Sequence, residues 1–143
     1  MAHAMLGSGV ERIHCSVYDL SPERVGTFDI VFCGDLLVHL QNPLAALINI
    51  RSVARELAVV ETVADPELER WLPGQPFLSF GMLDFEDEPG DLVSYWRFST
   101  QALVHMMTYA GFARIESEHA EPATVMDAVA GAEIGSVESA GHS

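Results

Sequence analysis

The apolar positions of this chain form two short continuous runs with a helically spaced segment between them. Ile30-Val31-Phe32 and Leu57-Ala58-Val59-Val60 are uninterrupted, which is typical of strands covered on both faces in a parallel sheet. Asn42-Pro43 predicts a helix start between them, because asparagine caps a helix and proline suits its first position. The apolar face of this helix is predicted to comprise Leu44, Leu47, Ile48, Ile50, Val53 and Ala54.

Further strands and helices are predicted on either side of this strand–helix–strand unit. In chain order they are a strand over Ile13–Tyr18, a helical turn capped by Ser21, a helix capped by Ser99 or Thr100 and ended by Gly111, a strand over Phe112–Ser117 and a short strand near Ala123–Met126. Strands that alternate with helices predict an α/β fold, with a mostly parallel sheet, flanking helices and an antiparallel edge.

Residues 65–96 interrupt this alternation with prolines, glycines and aromatic side chains. Because disordered segments are poor in aromatic residues, we expect an ordered but irregular insertion. Two interpretations are open: the aromatic side chains form a lid that excludes water from a pocket, or they cover the sheet as a hydrophobic cluster or a dimer contact. These side chains are Trp71, Phe77, Phe80, Tyr95 and Trp96.

The length and the cysteine content bound the domain organisation and the compartment. The 143 residues suffice for one core and not for two, so residues 1–126 are predicted to form one domain. Residues 127–143 have little apolar bulk, and a disordered tail is predicted there. The chain has no apolar run of membrane-spanning length and no secretory signal pattern at its N-terminus. Cys15 and Cys33 are therefore expected to be reduced thiols of a cytoplasmic protein.

The charge balance excludes some classes of partner. The formal net charge is −14, and the chain contains no lysine and seven scattered arginines. Because phosphate binding needs clustered cations, nucleic acid is not expected as a partner. The six histidines lack the spacing of metal ligands, so no metal site is expected either.

Candidate chemistry lies where the strand over 28–33 ends. Cys33 and Gly34 stand at its carboxyl end, where open α/β sheets bind ligands and where small residues let a flat ligand approach the backbone. Asp35 and His39 are four residues apart and would share one face of a helical turn. They are candidates for an acid–base pair, and the alternative is that Asp35 caps the turn while His39 packs beside Pro43.

Four motifs in this chain resemble those of class I S-adenosylmethionine-dependent methyltransferases. Residues 28–40, FDIVFCGDLLVHL, followed by Pro43-Leu44, resemble the fourth-strand motif of that family, which ends in L-x-H-x-x-x-P. Residues 109–112, YAGF, are similar to the step from the last helix into the sixth strand, and residues 96–103 resemble the approach to that helix. Residues 17–20, VYDL, are similar to the end of the third strand. The resemblance implies a Rossmann-like fold.

The resemblance also implies a cofactor, a reaction and a binding site. The cofactor would be S-adenosylmethionine, and the reaction would be methyl transfer to a small molecule. The acid at the end of the family's third strand often contacts the adenine amino group, which implies that role for Asp19, although the residues alone favour a turn aspartate there. The implied cofactor-binding residues are Tyr18, Asp19, Leu20, Cys33 and Gly34. Arg97 is expected to hold a carboxylate of a ligand or of Glu61, or to form a structural salt bridge.

The chain departs from the family pattern at its N-terminal side. The family's glycine-rich loop and the acid that ends its second strand have no counterpart, so the sheet is expected to be incomplete there. The strand over 28–33 would then have an exposed edge. Either the chain is a fragment, or something else covers that edge, for which a second copy of the chain is the candidate.

Two alternatives to a small-molecule methyltransferase remain open. The L-x-H-x-x-x-P stretch also resembles methyltransferase-like enzymes that modify wobble uridine in tRNA, a substrate that the acidic surface disfavours. The chain would otherwise be a non-catalytic truncated product or an interaction module that does not bind cofactor alone.

Overall fold

The computed structural model describes residues 9–83, 94–119 and 124–129. Short helices and strands alternate along this part of the chain. In chain order they are a 3₁₀ turn Val17–Asp19, helix α1 Pro22–Val25, strand β1 Phe28–Gly34, a second 3₁₀ turn Leu37–His39, helix α2 Pro43–Val53, strand β2 Ala54–Thr62, helix α3 Pro66–Trp71, strands β3 Leu78–Leu83 and β4 Ser94–Phe98, helix α4 Thr100–Tyr109, and strands β5 Arg114–His119 and β6 Thr124–Val129.

The main sheet has four strands in the order β1-β2-β6-β5. β1 and β2 are parallel, and α2 is the crossover between them. β6 is antiparallel to both of its neighbours, β2 and β5. The α/β class, the flanking helices and the antiparallel edge are therefore confirmed.

The described residues of the insertion, 65–83 and 94–96, form an ordered unit beside this sheet. β3 and β4 pair antiparallel, with Phe80 opposite Trp96, and α3 precedes them. Asp65 begins α3 by accepting a hydrogen bond from the backbone N–H of Glu67 at 2.8 Å. The hydroxyl of the fully buried Ser99 accepts from the N–H groups of Phe77 and Ala102 and donates to the carbonyl of Gln75, which ties the insertion to the start of α4.

The core lies between the sheet and the helices α2 and α4. Its fully buried side chains include Leu47 of α2, Leu103 and Met107 of α4, and Val60 of β2. Both helices begin where the sequence predicts: Asn42 Oδ1 accepts from Ala45 N–H at 3.0 Å, and Ser99 caps α4. Gly111 follows α4 with a φ of 95°, a left-handed conformation that favours glycine.

Arg51 joins the end of α2 to the turn between α4 and β5. Its guanidinium group donates to the carbonyls of Ala54 and Gly111, both at 3.0 Å, and lies 5.8 Å from the centre of the Phe112 ring. A cation in the last turn of a helix is also favoured by the helix dipole. This side chain therefore stabilises the crossover that places β1 beside β2.

Two strand predictions were wrong. Residues Ile13–Tyr18 form no strand: no described strand pairs with them, and Ser16 instead accepts from Tyr18 N–H at 3.2 Å and starts a 3₁₀ turn. β1 is not covered on both faces, because Ile30 is 65% and Phe32 is 66% exposed. α2 lies on one face of the sheet, and no described element covers these side chains on the other.

The ends of the chain are only partly described. β6 extends to Val129, three residues past the predicted end of the domain at residue 126. Residues 1–8 and the remainder of the predicted tail, 130–143, lie outside the described residues, and the predicted division into domain and tail stays a prediction. In the described ranges, no helix has both the length and the apolarity needed to cross a lipid bilayer.

Candidate functional site

The segment that follows β1 carries the central backbone feature of the site. Asp35 has a φ of 44°, a left-handed conformation that residues other than glycine rarely adopt. Its backbone N–H donates to the carbonyl of Glu61 at 2.8 Å, which continues the β1–β2 pairing one residue beyond the strand. The chain then turns sharply into the buried 3₁₀ turn at Leu37 and Val38. As a result, residues 33–40 line two different cavities.

The first cavity, which we call the apolar cavity, lies between this segment and the 3₁₀ turn at Val17–Asp19. Its volume is about 540 Å³, within the usual range of small-molecule pockets. Apolar side chains form most of its wall. Four of the five predicted cofactor residues line it, namely Tyr18, Leu20, Cys33 and Gly34. The structure therefore brings together two of the segments that carry the resemblance, residues 17–20 and 28–40.

The fifth predicted cofactor residue, Asp19, does not line the apolar cavity. Its carboxylate lies 3.4 Å from the guanidinium group of Arg24, and both side chains are about half exposed. At an exposed ion pair of this kind the two charges are largely solvated. Asp19 thus lies on the outer side of the turn. This position is the one expected of a turn aspartate, the role that the residues alone favoured.

Hydrogen bonds from α2 hold the turn that walls the apolar cavity. Asn49 Nδ2 donates to the carbonyls of Val17 and Tyr18, at 3.1 and 2.8 Å, and Asn42 N–H donates to the Tyr18 hydroxyl at 2.9 Å. The sequence motifs did not point to Asn49. The available signal was its place as the one amide of the helix, between Ala46, Ile50 and Val53 on the buried side.

The second cavity, which we call the acidic cavity, lies between the Asp35–His39 segment, α3 and β4. Its volume is about 520 Å³. Both predicted catalytic residues, Asp35 and His39, line it. Asp65, Glu67 and Arg97 add three more charged side chains to its wall. Arg97 Nη1 lies 3.1 Å from Asp65 Oδ2, so Arg97 forms a structural salt bridge, with Asp65 as its partner.

Trp96 connects the aromatic insertion to both cavities. Its indole N–H donates to the carbonyl of Leu40 at 2.8 Å, and its ring lines the acidic cavity. The Phe80 ring packs edge-on against it at 5.1 Å. In contrast, Trp71 is 76% exposed. The described residues of the insertion therefore supply a wall of the acidic cavity, and a closing lid remains an interpretation.

Cys33 lies in the apolar cavity without the environment of a nucleophile. Burial raises the pKa of the Cys33 thiol to about 11, and a hydrogen bond with the backbone of Leu36 offsets this only in part. At neutral pH the side chain is therefore a neutral, compact wall element. Cys15 and Cys33 are both free, as predicted, while the compartment of the protein stays a prediction. Within the residues that the structure describes, no group of three or more histidine, cysteine or acidic side chains could hold a metal ion.

Comparison with known proteins identifies the fold. No protein-family model and no curated protein matches the sequence. Among solved structures, 1,6-didemethyltoxoflavin-N1-methyltransferase from Burkholderia thailandensis, with bound 1,6-didemethyltoxoflavin and S-adenosylhomocysteine, matches at a TM-score of 0.63 and 17% identity over 90% of this chain and 54% of that one. An S-adenosylmethionine-dependent methyltransferase from Clostridium acetobutylicum matches at 0.58 and 8% identity, over 92% and 69% of the two chains.

A third matched structure has a similar fold and contains a bound ligand. The N-terminal domain of EvdMO1 with bound S-adenosylhomocysteine matches at a TM-score of 0.51 and 21% identity, over 80% of this chain and 50% of that one. The chain thus has the Rossmann-like fold of class I S-adenosylmethionine-dependent methyltransferases in part, and it spans about half the length of the first solved structures that it matches.

The raised pKa of Cys33 gives a prediction for its reactivity. In a Cys15→Ser variant at pH 8, only about one Cys33 in a thousand is a thiolate if its pKa is about 11, whereas an ordinary thiol of pKa about 8.5 is about one quarter ionised. Alkylation by iodoacetamide should therefore be at least about 100-fold slower than in the same chain unfolded in urea, and should accelerate about tenfold per pH unit up to pH 10. A rate that levels off below pH 9 would contradict the raised pKa.

Proposed function

We propose that this chain takes part in S-adenosylmethionine-dependent methyl transfer to a small molecule. The observation that carries this proposal is that one short segment, residues 33–40, lines two ligand-sized cavities on its two sides. Methyl transfer is a displacement between two bound molecules, so an enzyme contributes chiefly by holding them in contact and in line. The shared fold supports the same conclusion, since two matched structures contain bound S-adenosylhomocysteine.

The apolar cavity is the proposed cofactor site. Its size and apolar wall suit a nucleoside, and the cofactor would bring an electrophilic methyl group carried on a sulfonium. A Cβ atom at Gly34 would lie only 2.7 Å from Phe32 Cε1, so a side chain at this position would displace the Phe32 ring, which lines the same cavity. Tyr18, Leu20 and Cys33 would pack against the ligand. Asp19 lies outside the lining of this cavity, so its carboxylate would have to leave the ion pair with Arg24 to accept a hydrogen bond from the adenine amino group.

The acidic cavity is the proposed site of the methyl acceptor. His39 would accept the proton that the acceptor loses, and Asp35 would stabilise the imidazolium that results. The backbone bond from Asp35 to Glu61 holds this pair at the end of the sheet. No other described histidine lines this cavity, which makes His39 the candidate base.

Binding of S-adenosylhomocysteine tests the cofactor site. We expect saturable binding to the purified chain by calorimetry, weakened about tenfold or more by Gly34→Val because the added methyl groups occupy the cavity wall. Gly9→Val is the matched control, since Gly9 has no atom within 4 Å of an added Cβ and lines neither cavity. A folded chain that does not bind would favour the non-catalytic alternative.

Replacement of His39 tests the proposed base. With tritium-labelled S-adenosylmethionine and a panel of small amines, phenols and carboxylic acids, His39→Gln should lower the methyl-transfer rate about 100-fold and leave the affinity for S-adenosylhomocysteine unchanged. His105→Gln, at an exposed position of α4, should preserve the rate. Equal rates for the two variants would remove His39 from the proposal.

A second copy of the chain is the proposed partner for the unpaired edge of β1, which is an end strand of the described sheet. Phe28, Ile30 and Phe32 are 44%, 65% and 66% exposed, and unpaired strand edges beside apolar side chains favour association. We expect sedimentation equilibrium to show a dimer that Ile30→Asp dissociates. Ile48→Asp is the control, because Ile48 is also an exposed isoleucine, at 47%, but on α2. A monomer at all concentrations would refute this arrangement.

A further inference from the structure

The wall of the acidic cavity carries more negative than positive charge. Among the described residues that line it, Asp35, Asp65 and Glu67 contribute three carboxylates and Arg97 contributes one guanidinium group. Asp65 and Arg97 neutralise each other, since their side chains lie 3.1 Å apart and Asp65 is only 12% exposed. Two carboxylates therefore remain to act on whatever enters the cavity.

These two carboxylates lack a cationic partner in the described parts of the chain. The four arginine ion pairs among the described residues use Asp19, Asp29, Asp65 and Glu116, and none of them uses Asp35 or Glu67. A cleft lined by one sign of charge and walled by apolar groups concentrates ligands of the opposite charge. The whole chain, at −14, adds to the field in the same direction.

The remaining wall of the acidic cavity is apolar and partly aromatic. Val38, Val63 and Pro66 form its aliphatic part. Trp96 forms its aromatic part and is fixed in place by the hydrogen bond to Leu40 and by the Phe80 ring. An indole ring attracts cations to its face and also packs against flat apolar groups.

We propose that the acidic cavity selects a protonated amine that carries an apolar or aromatic group. The ammonium group is recognised by Asp35 and Glu67, and the apolar group packs against Trp96 and its aliphatic neighbours. Carboxylates and phosphates are disfavoured, because they would meet two carboxylates and an arginine already paired with Asp65. This inference rests on the proposed function in that it assigns the chemical class of the methyl acceptor.

The test uses Trp96 as the reporter and needs no cofactor. In a Trp71→Phe background, Trp96 is the only tryptophan of the chain, and Trp71 is exposed enough for its replacement to leave the fold intact. Three probes of similar shape are titrated at pH 7: phenethylamine, phenethyl alcohol and 3-phenylpropionate. We expect phenethylamine to change the Trp96 fluorescence saturably, at an affinity about tenfold above the alcohol and more above the carboxylate.

Charge variants distinguish specific binding of the amine in the acidic cavity from nonspecific electrostatic binding to an acidic protein. Glu67→Gln should weaken phenethylamine binding about fivefold and leave binding of the alcohol unchanged. Glu56→Gln, an exposed position of β2 outside both cavities, should have no effect on either probe. Equal affinity for the three probes, no saturable binding by any of them, or equal effects of the two variants would overturn the inference.

The outcome is independent of the cofactor experiment. If the chain binds S-adenosylhomocysteine but shows no preference for the amine, the proposed function stands and the substrate class is wrong. If it prefers the amine but does not bind S-adenosylhomocysteine, the cavity's selectivity stands and the methyltransferase proposal fails.

Discussion

The parallel pairing of β1 with β2 is the constraint on which the rest of this structure depends. After a register shift between Phe28 and Ile30, the pairing runs from Ile30 opposite Leu57 to Gly34 opposite Glu61, one residue before β2 ends at Thr62. The bond from Asp35 N–H to the Glu61 carbonyl continues the contact for one residue more, and Asp35 there adopts a left-handed conformation. Because residues 33–40 follow this strand pair and lie between the apolar cavity and the acidic cavity, both cavities depend on how β1 pairs with β2.

The helix α2 sets that register and also builds one cavity wall. As the crossover between β1 and β2, it buries Leu47, Ile50 and Val53, and Arg51 anchors its end. The Asn49 side-chain amide and the backbone N–H of its cap residue, Asn42, hold the turn at Val17–Asp19, which has no sheet partner of its own in the described chain. The helix therefore contributes apolar side chains to the core and hydrogen-bond donors to the turn, which explains how a turn without strand pairing is held in place.

The two cavities differ in character because different parts of the chain complete them. The turn at Val17–Asp19 brings apolar side chains and backbone to the first, whereas α3 and β4 bring Asp65, Glu67, Trp96 and Arg97 to the second. Asp65 is shared between structure and site: it caps α3, pairs with Arg97 and donates its N–H to the Phe98 carbonyl. A single partly buried aspartate thus fixes the insertion to β4 and neutralises Arg97 in the cavity wall.

The sequence by itself determined the local features of this protein. Asn42-Pro43, Ser99 and Gly111 set the helix ends, since capping and left-handed turns depend on one or two residues, and the apolar runs set β1 and β2. The motifs that resemble the methyltransferase family also predicted Tyr18, Leu20, Cys33 and Gly34 as cofactor residues, and all four line the apolar cavity. Only the tertiary structure decided that Ile13–Tyr18 forms no strand, that one side of β1 is open and that Arg97 pairs with Asp65, because pairing, burial and charge neutralisation require neighbours distant in sequence.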